Sequence, residues 1–172
     1  MVKLLAGAII FFGCGYFGIL FSQKFKERVR QLAEFQRALT ELEYSIEFMG
    51  MTIGDALMIL AKNSETELKS VFLYVSERLK SSPGSDMQKI WQRALSKYSE
   101  GLALKKDDVE IILDFSKNLG TGNREKEKNN IKVTSMRLRI AEDEARAELE
   151  RNSKMYRGLG FLSGIFVVIV LM

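Results

Sequence analysis

The chain has 172 residues, with 26 Lys and Arg against 22 Asp and Glu, a formal charge of +4, one Cys, one Pro and no His. This composition excludes an intrachain disulfide, a Cys/His zinc site and any His-based catalytic relay. Much of the basic excess lies beside apolar segments, so it does not point to nucleic acid.

The first element is an uncharged run of eighteen residues, Leu4 to Phe21. As a helix it spans roughly 27 Å, close to a bilayer core of roughly 30 Å. Leu5, Ile9, Phe12, Phe17 and Leu20 are its expected membrane anchors. A cleaved signal peptide is the competing reading. A basic helix follows the run directly, however, without a small-residue cleavage site, and the residues before Cys14 match a lipoprotein site poorly.

Lys24, Lys26, Arg28 and Arg30 flank the inner end of this run, against Lys3 on the other side. The more basic flank stays cytoplasmic, so the middle of the chain is expected to face the cytoplasm. The same four residues are candidates for contact with anionic lipid headgroups; serving only as a topology signal is the plainer role.

The middle reads as helix throughout. Val29, Leu32, Phe35, Leu39, Leu42, Ile46 and Met49 recur at steps of three or four and predict one long helix ended by Gly50. Thr52 is placed to cap a short helix carrying Ile53, Ala56, Leu57, Leu60 and Ala61. Ser64 and Glu67 form a capping-box pattern ahead of Leu68, Val71, Phe72, Val75 and Leu79. Pro83-Gly84 breaks that helix, and Ser85 with Gln88 predicts the next, with Met87, Ile90, Trp91, Ala94, Leu95 and Tyr98 inward. An aromatic residue on an apolar helix face is core far more often than a recognition residue, so Trp91 is assigned to the core.

A fifth helix is predicted from about Lys105 to Asn118, buried through Val109, Ile112, Leu113 and Phe115. Asp107, Asp108 and Glu110 suit its N-terminal dipole. After Gly120 and the potential cap Asn123, a last helix runs from about Arg124 to Arg157, buried through Ile131, Leu138, Ala141, Ala145, Leu149 and Tyr156. Glu142, Asp143, Glu144 and Glu148 on its other faces are a candidate partner surface; a solvated face with i,i+4 ion pairs is the simpler account.

The chain ends in fifteen uncharged residues, Gly158 to Met172, which span only about 22 Å as a helix and so insert fully or partially. Phe161, Ile165 and Val168 are the expected anchors there. The reading is an all-α bundle of about six helices: a membrane segment at 1–22, a cytoplasmic helical domain at 23–157 and a second membrane segment at 158–172.

No active site is legible. Gly120 to Lys126 superficially resembles a phosphate loop but lacks the second Gly before Lys and the Ser or Thr after it. Asp107 and Asp108 are adjacent on a helix and do not face each other, which is poor geometry for paired acid–base work. The expectation is a protein that is not an enzyme and holds no cofactor or metal.

Three stretches resemble the stage III sporulation protein AB family of endospore-forming bacteria: Leu39 to Leu57, Leu104 to Gly120, and Lys154 to Gly164 with the apolar end that follows. The first also resembles, less specifically, the helical domain of the type II secretion F protein, an inner-membrane platform component. That protein has two such domains and this chain one, so a complete platform would need several copies of this chain, as a homo-oligomer, or other proteins.

The resemblance implies a non-enzymatic membrane platform in the secretion-like channel between mother cell and forespore. It would sit in the cell membrane with its domain facing the mother-cell cytoplasm. Its implied partners are a secretion-type ATPase and other sporulation channel proteins. A membrane-tethered helical scaffold or sensor unrelated to secretion is the alternative.

Overall fold

Apolar residues repeating every three or four positions, punctuated by glycine, give, among the described residues, six helices and no strand. They are α1 (Val2–Glu47), α2 (Ile53–Asn63), α3 (Leu68–Ser81), α4 (Met87–Lys97), α5 (Lys106–Lys117) and α6 (Arg124–Leu171). The structure is a computed structural model. It describes the backbone of residues 2–171 except 83 and 121, and the side chains of residues 23–152 and 155 except 83, 121 and 124.

Stretches 4–21 and 158–172, with their expected anchors Leu5, Ile9, Phe12, Phe17, Leu20, Phe161, Ile165 and Val168, lie outside the described side chains. Among the described residues no helix is long and apolar enough to cross a membrane. The chain divides into two units. One is Arg28–Asp143; the other comprises Met1–Glu27 and Glu144–Met172.

The core of the first unit is aromatic. Phe35 of α1, Phe72 of α3, Trp91 of α4 and Phe115 of α5 are all at least 98% buried. Phe35 stands 5.7 Å from Phe72, 5.9 Å from Trp91 and 6.3 Å from Phe115, centroid to centroid, the last two edge to face. Such pairs contribute roughly 0.5–1.5 kcal/mol each beyond burial. The Trp91 indole N–H has no acceptor among the described residues. An orphaned N–H costs about 1–3 kcal/mol, whereas burying 150–250 Å² of ring at about 25 cal/mol/Å² returns about 4–6. Packing therefore decides the position of Trp91.

The shorter helices close against this cluster. α2 lies tightly on α3, where Ser76 Oγ donates to the Gly54 carbonyl at 2.6 Å. Asn130 of α6 donates through Nδ2 to the Phe115 carbonyl at 2.9 Å. Gly50 and Gly120 carry φ of +63° and +78°, the left-handed backbone a helix stop favours.

Thr52 and Asn123 cap α2 and α6 as expected, accepting from the backbone N–H of Asp55 and Lys126. Two predicted capping boxes do not form. Ser64 closes α2 instead, and the Thr66 hydroxyl accepts from Leu68 N–H while donating to buried Glu34 of α1. That long-range partner outweighs the local Ser64/Glu67 pattern. Asp86 rather than Ser85 caps α4, accepting from Lys89 N–H; its carboxylate also complements the helix dipole, which a hydroxyl cannot.

Burial follows the predicted stripes with local exceptions. On α5 the buried apolar residues are Ile111, Ile112 and Phe115, while Val109 and Leu113 are half-buried. Met49, beyond the end of α1, is exposed.

Candidate partner-docking surfaces

Three polar residues of α1, spaced by three, are buried among its apolar ones: Arg28, Gln31 and Glu34. Each holds a different junction between helices. The Arg28 guanidinium grips Asp108 at the start of α5, Nε to Oδ2 at 2.7 Å and Nη2 to Oδ1 at 2.9 Å. Asp108 Oδ2 also accepts from the Lys105 backbone N–H at 2.8 Å, so one carboxylate caps α5 and neutralises Arg28. Gln31 donates to the Gly101 carbonyl and accepts from Ala103 N–H, fixing the α4–α5 linker. Glu34 receives Thr66, fixing the α2–α3 linker.

This corrects the assignment of Arg28 to the lipid-facing cluster. At 4% exposure and in a bidentate ion pair, its charge is spent inside the bundle. Lys24, Lys26 and Arg30 are exposed, and Arg30 also donates to the Glu65 carbonyl at 3.0 Å. Asp108, weighed above as half of a carboxylate pair, is buried in the same interaction and turned away from acid–base work. Asp107 is exposed.

On α6, Glu142 is half-buried and accepts from Gln36 Nε2 of α1 at 2.6 Å, so it belongs to the helix contact. Asp143 and Glu144 are exposed; Glu148 is half-buried and has partners of its own. Asp114 of α5 receives Lys117 at 2.8 Å and Arg137 of α6 at 3.2 Å. The hydrogen bond from Lys117, then that from Arg137, holds the Asp114 carboxyl below the usual carboxylate range.

Sequence reasoning followed one stripe of α6 and missed another. Val133, Met136 and Ile140 are all exposed, Ile140 by 61%. Their spacing of three and four puts them on one face, away from the buried Ile131, Thr134, Leu138 and Ala141. The spacing was visible; the stronger stripe beside it obscured it. Tyr44, Phe48 and Met49 are likewise exposed at the end of α1, the first two rings 5.3 Å apart.

A groove of about 230 Å³ lies where α1 ends and α6 begins. Ile46 and Ile131 supply apolar lining, with Glu43, Glu47, Glu125, Glu127 and Lys128 around them. Lys128 Nζ reaches Glu47 at 3.2 Å, and Glu127 accepts from Gly122 N–H. Among the described residues no group of acids, Cys or His could hold a metal ion.

The fold and these surfaces define an all-helical bundle with outward apolar and charged faces. The sequence pattern of the stage III sporulation protein AB family matches residues 3–172, and the chain belongs to that family. It is 30% identical to stage III sporulation protein AB of Bacillus subtilis (strain 168) over 173 residues, covering all of both chains. A solved structure of a stage III sporulation protein AB (SpoIIIAB) superposes with a TM-score of 0.66 at 27% identity, over 72% of this chain and 97% of the solved one.

Proposed function

We propose that this chain is a non-enzymatic membrane platform in the secretion-like channel that joins mother cell and forespore during sporulation. Its apolar ends anchor it in the cell membrane. Its helical bundle, like the type II secretion F-protein domain, stands in the mother-cell cytoplasm and holds a secretion-type ATPase and other channel proteins. Membership of the sporulation family supports the setting. The observation that carries the role is the exposed stripe of Val133, Met136 and Ile140 on α6, apolar surface of the kind that binding faces carry.

The test is co-purification of a secretion-type ATPase with the full chain from membranes of sporulating cells, with and without nucleotide. Met136→Glu with Ile140→Glu, both exposed and so compatible with folding, should abolish it. Absence of the ATPase under every nucleotide condition would overturn this reading, and carboxylate-dependent turnover by the purified chain would replace it with an enzymatic one.

A further inference from the structure

We propose that the groove between the end of α1 and the start of α6 receives a basic, aliphatic segment of a partner protein: a Lys or Arg side chain beside a Leu, Ile or Val. The inference rests on reading the chain as a docking platform and adds the chemistry of what docks. Size is the first argument. At about 230 Å³ the groove is below the 300–1,000 Å³ typical of pockets for cofactors and drug-sized ligands, and suits one or two side chains.

Charge is the second. Four carboxylates against one ammonium leave the lining at a formal −3, in a chain whose total is +4. Lys128 is already engaged by Glu47. Among the described residues Glu43 and Glu125 are in no ion pair, so the groove keeps carboxylate charge for an incoming cation. A concave site of one sign selects partners by charge and speeds their encounter. The same sign disfavours anionic headgroups and nucleic acid.

The apolar component is the third. Half-buried Ile46 offers contact to an aliphatic side chain, Ile131 of the lining being itself buried, and Phe48 and Met49, exposed by 71% and 57%, follow directly on Glu47. A partner that supplied charge alone would leave this apolar surface wet. One that supplied both would cover it.

The experiment uses the full chain in nanodiscs of zwitterionic lipid. Two fluorescent sixteen-residue helical peptides serve as probes, one with Leu and Lys on opposite faces and one with Glu in place of every Lys. Fluorescence anisotropy should show saturable binding of the Lys peptide and none of the Glu peptide, weakening as salt rises. Glu43→Lys with Glu125→Lys should reduce affinity by roughly tenfold or more. Ile46→Ser should reduce it at unchanged salt dependence, with the thermal transition confirming that each variant folds.

Equal binding of both peptides, equal binding to empty nanodiscs, no binding of the Lys peptide, or unchanged affinity in the charge-reversed variant would each overturn the proposal. So would a change in oligomeric state of that variant by sedimentation, which would make a second copy the occupant. ATPase co-purification run on the same variants separates the two readings: if it survives while peptide binding fails the test, the groove assignment falls and the platform stands.

Discussion

The Arg28–Asp108 pair gives the sharpest test of how this bundle is held. Both side chains are at least 95% buried, and the guanidinium meets the carboxylate through two bonds of 2.7 and 2.9 Å. Removing one partner strands a buried charge, which costs about 3–5 kcal/mol. Asp108→Ala also takes away the acceptor for the Lys105 N–H, worth about 1 kcal/mol more as a lost cap. The expected loss is therefore about 4–6 kcal/mol, comparable with the whole stability of a domain at the lower end of about 5–15 kcal/mol. Replacing both groups by apolar residues of similar volume, Arg28→Met with Asp108→Leu, removes the charge problem and should recover all but about 1–2 kcal/mol. Trp91, the single tryptophan and 1% exposed, reports core opening directly, so urea titration followed by its fluorescence is the assay. A single variant within about 1 kcal/mol of the parent, or a double variant as unstable as the sum of the singles, would refute the account.

Ile112→Asp, at a fully buried site, should abolish the cooperative thermal transition seen by circular dichroism, whereas Glu144→Ala at an exposed one should leave it within a degree or two. Ile112 is the place for this test because Leu113 beside it is only half-buried. Asp114 titrates below the usual carboxylate range, so its contribution is full above about pH 4 and is lost as pH falls through its lowered value. Asp114→Asn should therefore flatten the fall in thermal midpoint between about pH 4 and pH 2. The effect should be a few tenths of a kcal/mol, since Lys117 and Arg137 are well exposed. Ser82→Cys, at an exposed turn after α3, should resist a membrane-impermeant thiol reagent in intact cells; ready labelling would reverse the orientation drawn from Lys24, Lys26, Arg28 and Arg30.

The six helices were legible because their signals are local. Apolar spacing marks the faces, and Gly50 and Gly120 mark stops where the backbone turns left-handed. Caps were legible only where nothing distant competed. Thr52 and Asn123 act on their own helices. Thr66 displaced the Ser64 pattern because it has a partner thirty-two residues away in Glu34. Arg28 was misplaced for the same reason. Beside Lys24, Lys26 and Arg30 it looks like one more membrane-flanking base, and nothing local reveals Asp108 eighty residues on. On α6 the difficulty was of another kind. Two apolar stripes share one helix: the one through Ile131, Leu138, Ala141 and Ala145 was read as the core face and is buried, and the weaker one of Val133, Met136 and Ile140 beside it was passed over.

The polar trio on α1 also accounts for how short, poorly apolar linkers come to be ordered. The linker after α4 carries Leu102, Ala103 and Leu104, all only half-buried, so hydrophobic burial alone fixes it weakly. Gln31 supplies what is missing, one donor to Gly101 and one acceptor to Ala103 from a single rigid helix. Arg28 does the same at the mouth of α5, and Glu34 at the start of α3. Each bond is worth about 0.5–1.5 kcal/mol net if neutral and more if charged, but leaving its partner unmet would cost about 1–3. The linkers are thus set by the penalty for moving as much as by the gain for staying. A helix that spends its buried face on ordering its own bundle leaves recognition to the outward surfaces. There the exposed residues Tyr44, Phe48, Val133, Met136 and Ile140 are apolar without a core to explain them.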